Sequence, residues 1–484
     1  MPRGRKRACA KAAGVVCALM VAAAAGLVLR AADLPARDAE ISALVADTDL
    51  VPPEFAADAL IRLSGSSRIT DASWRLELLD QAFQRTYGAQ DQYRRSSPPG
   101  IPPDSRQGAE LFASTTALNR LSLQVRIAQL MALTDPRRGR EIFEWIDLNL
   151  APGVCEDPLV PSVDDYYTAL SFLARTSFGS DRGEALRFLQ LYLWRAHLPS
   201  EMPAVARALQ RFRPSAYEAT YLEGVLQNIL KSGTTDPRGF SAADLDIVTR
   251  IAALQKAYRD IGVLNFHLLD TLREYLVAQL KGPRCSDSVT ESMTPAAYNA
   301  AVVRLGAGKL VDLMDPNGVR PSKMLGIARI DMYWQTPEAR RLHEDALDLR
   351  GRGQNPLPIR IRQTQEWRER AERLIVDLVQ WTGRHEATER DYFFQKSFLF
   401  GGLIELMPRS RVRTSALRSF VEFMRNSDVD RDRRPLWFAF LTRLLEMARG
   451  AERREILAAL ENSHHPVLSL YARMERIAPT SGTR

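Results

Sequence analysis

The chain has 484 residues, 45% of them hydrophobic and 26% charged, the balance of globular material rather than of a disordered or multi-span membrane protein. Its formal charge of +8 is concentrated at one end: Arg3, Arg5, Lys6, Arg7, Lys11 and Arg30 precede the first acid, Asp33, and setting those six aside leaves 60 of the 66 basic side chains against 58 acidic. A body so near neutrality lacks the basic stripe that a phosphate backbone demands, so no nucleic-acid partner is expected.

Residues 3–11 carry five positive charges, and the next 18 residues, Ala12–Leu29, carry none. A charged segment before an apolar run is the pattern of an export signal, and this run also reaches the minimum length of a membrane span. Residues 1–32 are therefore expected to be a signal peptide or an uncleaved signal-anchor. Ala23-Ala24-Ala25 offers an early cleavage site, whereas Arg30 sits badly for a cut after Ala32. Positive charge ahead of the run keeps the N-terminus in the cytoplasm. Residues 33–484 are thus expected outside it, periplasmic or at the cell surface, with membrane contact only through residues 12–29.

From there the chain reads as helix after helix. Trp74, Leu78, Leu79 and Phe83 recur at 3.6-residue spacing and predict a helix over 69–87. Gln92–Gln107, with its Ser-Ser-Pro-Pro-Gly-Ile-Pro-Pro-Asp run, reads as a stiff loop. Leu118, Leu121, Val125, Ala128 and Ala132 share one face of a helix over 116–133, and Asp135-Pro136 restarts another that holds Ile142, Phe143 and Ile146. Further patterns cover 163–178, 182–196, 217–230, 242–258 and 265–280, each bounded by Gly, Pro, Ser or Asp. Cys155 and Cys285 lie in Gly/Pro-punctuated loops, each after a helical pattern. In an oxidising compartment two such cysteines are expected to form a disulfide. The other readings are two unrelated free thiols or a catalytic thiol, for which neither has a nearby His.

Arg350–Arg362 is broken by Gly and Pro, which places a linker at 351–365 between a helical array over 33–350 and a second over 366–478, with a tail at 479–484. In the second array, patterns begin near Glu366, Asp391, Thr414, Pro435 and Arg453. Short connections at that rhythm make antiparallel neighbours that stack as αα-hairpins. The periods drift, and no tetratricopeptide, ankyrin or leucine-rich consensus fits. The expected fold is all-α, an irregular, solenoid-like array of αα-hairpins.

Motifs for chemistry are few. His343-Glu344-Asp345-Ala346-Leu347 begins like a zinc-hydrolase motif but has Leu347 in place of the second histidine; His385 and Glu389 are spaced for one helical face without a third ligand. His464-His465-Pro466 reads as a helix cap. The acidic run Asp428, Asp430, Asp432 lacks the Gly and Glu of a calcium loop, having Arg433 and Ala439 there, and reads as a salt-bridged turn. No metal and no cofactor are expected. Asp164 and Asp165, beside Tyr166 and Tyr167, are the candidate catalytic carboxylates; their other reading is a favourable charge at a helix N-terminus. The expected function is a protein–protein interaction scaffold with an envelope protein as partner. The second reading is an (α/α)-toroid hydrolase or lyase that acts on glycan with loop carboxylates.

Overall fold

The computed structural model describes residues 37–90, 93–96, 100–150, 154–236, 242–263, 267–286, 322–327, 329–352, 355–427 and 430–477. The expected signal or anchor at 1–32, Asp428 and the tail at 479–484 lie outside the described residues. Among the described residues the protein is all-α apart from four short strands, and no helix is long and apolar enough to cross a membrane.

The helices are, in order, α1 (Ala39–Asp47), α2 (Pro53–Ser64), α3 (Ala72–Thr86), α4 (Arg106–Ser114), α5 (Arg120–Thr134), α6 (Pro136–Glu144), α7 (Asp164–Thr176), α8 (Arg182–Leu193), α9 (Met202–Phe212), α10 (Ala216–Ser232), α11 (Ala242–Asp260) and α12 (Leu268–Lys281). After them come α13 (Pro337–Arg350), α14 (Ile359–Arg362), α15 (Gln365–Gln380), α16 (Glu389–Leu406), α17 (Arg411–Asn426), α18 (Arg434–Met447), α19 (Ala451–Glu461) and α20 (Pro466–Ile477).

Local chemistry sets the boundaries. The Asp71, Asn119, Asp135 and Asp181 side chains accept from backbone N–H groups in the first turns of α3, α5, α6 and α8. Ser215 and Glu218 form a reciprocal capping box on α10. α5 starts at Arg120 rather than near 116 because Ala117 is left-handed (φ 52°) and Asn119 supplies the cap. α9, not among the expected helices although Met202, Val205, Leu209 and Phe212 recur at helical spacing, is closed by Arg213 in the left-handed region (φ 53°). The break expected after Arg350 is marked by Gly351 (φ 95°), and one helical turn, α14, follows Pro358.

In the N-terminal part, α3, α5, α7, α9 and α11 each pack on the next, while α6, α8 and α10 pair with α5, α7 and α9. α5 and α6 approach closely at Gly139, where a Cβ would lie 2.5 Å from that of Ala132. Two antiparallel strands, β1 (Arg94–Ser96) and β2 (Val160–Ser162), and a parallel pair, β3 (Pro283–Ser286) and β4 (Lys323–Ile327), join loops across this array. Cys155 and Cys285 pair at disulfide distance, with Sγ atoms 2.08 Å apart.

Two apolar cores result. The first draws on α1–α3 and α5–α12, the second on α4 and on residues from Tyr333 to Ala472. They interlock through two helices. Phe55 of α2 enters the second core, edge-on to Trp437, Phe438 and Tyr471, while Leu470 and Met474 of α20 enter the first. Beneath them Asp58, almost wholly buried, accepts from Arg126 at 2.9 Å and from the Tyr471 hydroxyl at 2.8 Å, and pairs with Arg62 at 2.7 Å. Burial pushes its pKa up, but the two guanidinium groups outweigh that and hold it below the ordinary value.

Candidate functional site

Asp164 and Asp165 occupy the first turn of α7, where Val163 offers no side-chain cap and two carboxylates suit the positive end of the helix. Successive helical positions diverge, and each acid has its own arginine. Arg207 of α9 donates to Asp164, with Nε 3.0 Å from the carboxylate. Arg94 of β1 donates to both oxygens of Asp165 at 3.1 Å, and the Ser122 hydroxyl adds a bond at 3.3 Å. The pair thus ties α7 to α9, to β1 and to α5. Tyr166 and Tyr167 turn inward from it, and the Tyr167 hydroxyl donates to Glu201 at 2.6 Å.

The histidines are dispersed. His343 stacks on Trp334 at 4.2 Å, with Nε2 3.6 Å from the Asp104 carboxylate, and burial lowers its pKa. Thr388 caps α16, so the helix begins at Glu389 and His385 lies in the turn before it; the shared helical face suggested by their spacing does not form. Glu389 pairs with Arg433 at 3.0 Å instead. His465 Nδ1 accepts from the Leu468 N–H at 3.4 Å, a cap on α20. Asp430 accepts from both the backbone and the side chain of Arg433, as a salt-bridged turn requires. No group of three or more His, Cys, Asp or Glu among the described residues could hold a metal ion.

A different set of groups shares a cavity of about 380 Å³ between α4, the start of α16 and the turn before α18. Glu110 of α4 is half-buried there and makes no hydrogen bond or ion pair with a described residue. Burial pushes its carboxyl pKa up; Arg390 opposes the shift, Asp157 adds to it and Arg95 opposes it. Arg106 donates to Asp391 at 2.8 Å and lies over the Tyr333 ring. Tyr333 is 94% buried (6% exposed) and stacks on Phe394, yet its hydroxyl bonds to no described residue. Burial also drives that hydroxyl's pKa up, with Asp391 adding to the effect. Nothing in the sequence singles out Glu110 or Tyr333. They lie more than 200 residues apart, and neither belongs to a motif.

A third feature lies on the surface. Most aromatic side chains fill the two cores, but Trp145 is 71% exposed, Tyr217 82%, Tyr221 53% and Trp194 48%. Trp145 and Trp194 hold the same place, the C-terminal cap, on α6 and α8, whose inward faces meet through Phe143 and Tyr192. Tyr217 and Tyr221 lie one turn apart on α10, with exposed Leu191 on α8. Gly224 lies one turn beyond Tyr221, within the continuous helix α10. A Cβ there would meet only the Trp194 ring, at an ordinary 3.9 Å, so the protein's own packing does not require the glycine. A glycine inside a helix costs about 1 kcal/mol relative to alanine. Exposed aromatic rings thus recur on the alternate helices α6, α8 and α10, with open space at Gly224 beside Trp194.

No protein-family model, curated protein or solved structure matches the chain.

Proposed function

We propose that the protein is an interaction scaffold of the cell envelope, exported by residues 1–32 and either released or held by the apolar run 12–29. Its N-terminal body is read as a solenoid-like array, in which α3, α5, α7, α9 and α11 form one row and α6, α8 and α10 the outer one. The observation that carries the proposal is the recurrence of exposed aromatic rings on that outer side. Large rings left in water cost solubility, and Trp and Tyr are the residues that dominate protein–protein contact energies. They offer broad apolar area with a polar tip and few rotatable bonds. The open space at Gly224 lets a partner side chain approach the helix backbone. Arg187 and Arg195, exposed beside these rings, suit an acidic rim on that partner.

The test is crosslinking and pull-down of the tagged, membrane-solubilised full chain from its own cells. Wild type should retain one envelope protein at near-equal stoichiometry, and Trp194→Ala with Tyr221→Ala should lose it without a change in melting temperature. Equal recovery by wild type and double variant would overturn the assignment of this face.

A further inference from the structure

We infer that the cavity between α4 and α16 is a binding site for a neutral, hydroxyl-rich ligand, a sugar unit. Three classes of ligand are disfavoured by its walls. The side chains that line it are charged, phenolic or hydroxylic, with no aliphatic surface for an apolar ligand. An anion would meet five carboxylates, and two of the three guanidinium groups are already engaged, Arg106 with Asp391 and Arg433 with Glu389 and Asp430. A cation would find three of those five carboxylates, Asp391, Glu389 and Asp430, already paired with Arg106 and Arg433.

What the walls leave over is hydrogen-bonding capacity of both signs. Glu110 and Arg390 face the space with no ion pair to a described residue, and the Tyr333 hydroxyl, at the cavity wall, has no described bond. A sugar hydroxyl donates to a carboxylate and accepts from a guanidinium or a phenol at once, so a ring of hydroxyls satisfies mixed-sign walls without adding net charge. A ligand that bonds these groups gains the modest net energy of each hydrogen bond it makes. The volume of about 380 Å³ lies within the range of small-molecule sites. This inference is independent of the partner surface, because α4 and α16 carry none of those exposed rings.

The test is isothermal titration of the solubilised full chain with the neutral disaccharides chitobiose, cellobiose and maltose, and with arginine amide and inorganic phosphate as charged probes. The expected result is saturable binding of at least one disaccharide. Tyr333→Phe and Glu110→Ala should each weaken it about two- to tenfold, the range of one lost hydrogen bond. Thermal melts establish that each variant is folded; should either unfold, Asp432→Asn on the exposed rim takes its place. Absence of disaccharide binding, binding that the folded variants leave unchanged, or uptake of arginine amide or phosphate that Tyr333→Phe abolishes would each overturn the proposal.

Discussion

Asp58 and Lys396 are buried charges with opposite consequences. Asp58 joins α2 to α5 and α20 through Arg62, Arg126 and Tyr471, so its removal strands two guanidinium groups at the junction of the cores. Breaking one side of a buried pair costs about 3–5 kcal/mol, and Asp58→Ala should lower the unfolding free energy by that order in urea titration. Because its folded pKa lies below the ordinary 3.8, its stabilisation is present above that value and lost as the pH falls further. Lys396 of α16 donates to the Trp381 carbonyl at 2.6 Å and to the Tyr392 hydroxyl at 2.9 Å, and burial pulls its pKa down to about 8, against opposition from Glu338. Between pH 8 and 10.5 the unfolded chain keeps a proton that the folded chain has shed, so stability should rise with pH in that interval. Lys396→Met should flatten the rise, and denaturant midpoints at pH 7.5 and 9.5 check it, the pH values being about half a unit below and one and a half above the folded pKa. Neither residue advertises itself in the sequence. Asp58 lies in an alanine-rich helix, and its partners are brought to it from positions as distant as Tyr471.

At the scale of elements, legibility followed capping chemistry and helical period. The starts expected near Glu366, Asp391, Thr414, Pro435 and Arg453 fall within three residues of α15, α16, α17, α18 and α19. α15 and α17 carry a 3.6-residue apolar stripe, whereas α16 and α18 are buried nearly all round and are marked by the Thr388 cap and by Pro435 at the first turn. Helices that are short or heavily charged escaped, α9 among them although Met202, Val205, Leu209 and Phe212 recur at helical spacing. α4 emerges straight from the proline-rich loop with Ser105 as its cap, and α13 is mostly charged, with only Ala339, Leu342 and Leu349 buried. The five strand residues of β4 and the four of β3 gave no alternation long enough to notice. Close approach of helices was equally silent. Gly139 looks like any glycine, yet its missing side chain is what allows α6 to lie against the Ala132 backbone, 2.7 Å from where a Cβ would stand. Gly139→Ala gains helix propensity but forces the pair apart, and a net loss of about 1–2 kcal/mol is expected from overpacking against propensity. A denaturant titration measures it.

For the whole molecule, the folded chain returns to its own beginning. α20 packs on α1 and α2, and Arg473 pairs with Asp47 and Arg434 with Glu54. The second core is therefore built against the start of the first array and not merely appended to its end. Cys155 and Cys285, 130 positions apart, pair across the first array. The two loops were readable from compartment logic and the count of cysteines alone. Replacing both with Ser should lower stability by about 2–5 kcal/mol, the range for long closed loops, seen as a lower melting temperature that reductant no longer affects. What the sequence could not convey was which rings remain outside, since Trp145 and Trp194 sit in patterns much like those of the buried Trp367 and Trp437. Only the stacking of α6, α8 and α10 decides that.

The most direct measurement of the scaffold's working face is site-specific photocrosslinking in the living cell, with the probe placed in turn at Trp145, Trp194 and Tyr221, and at Glu372 on α15 as a control. The account predicts that the three aromatic positions capture the same envelope protein and that Glu372 does not. Capture of nothing at the three positions, or of the same species equally from Glu372, would contradict it.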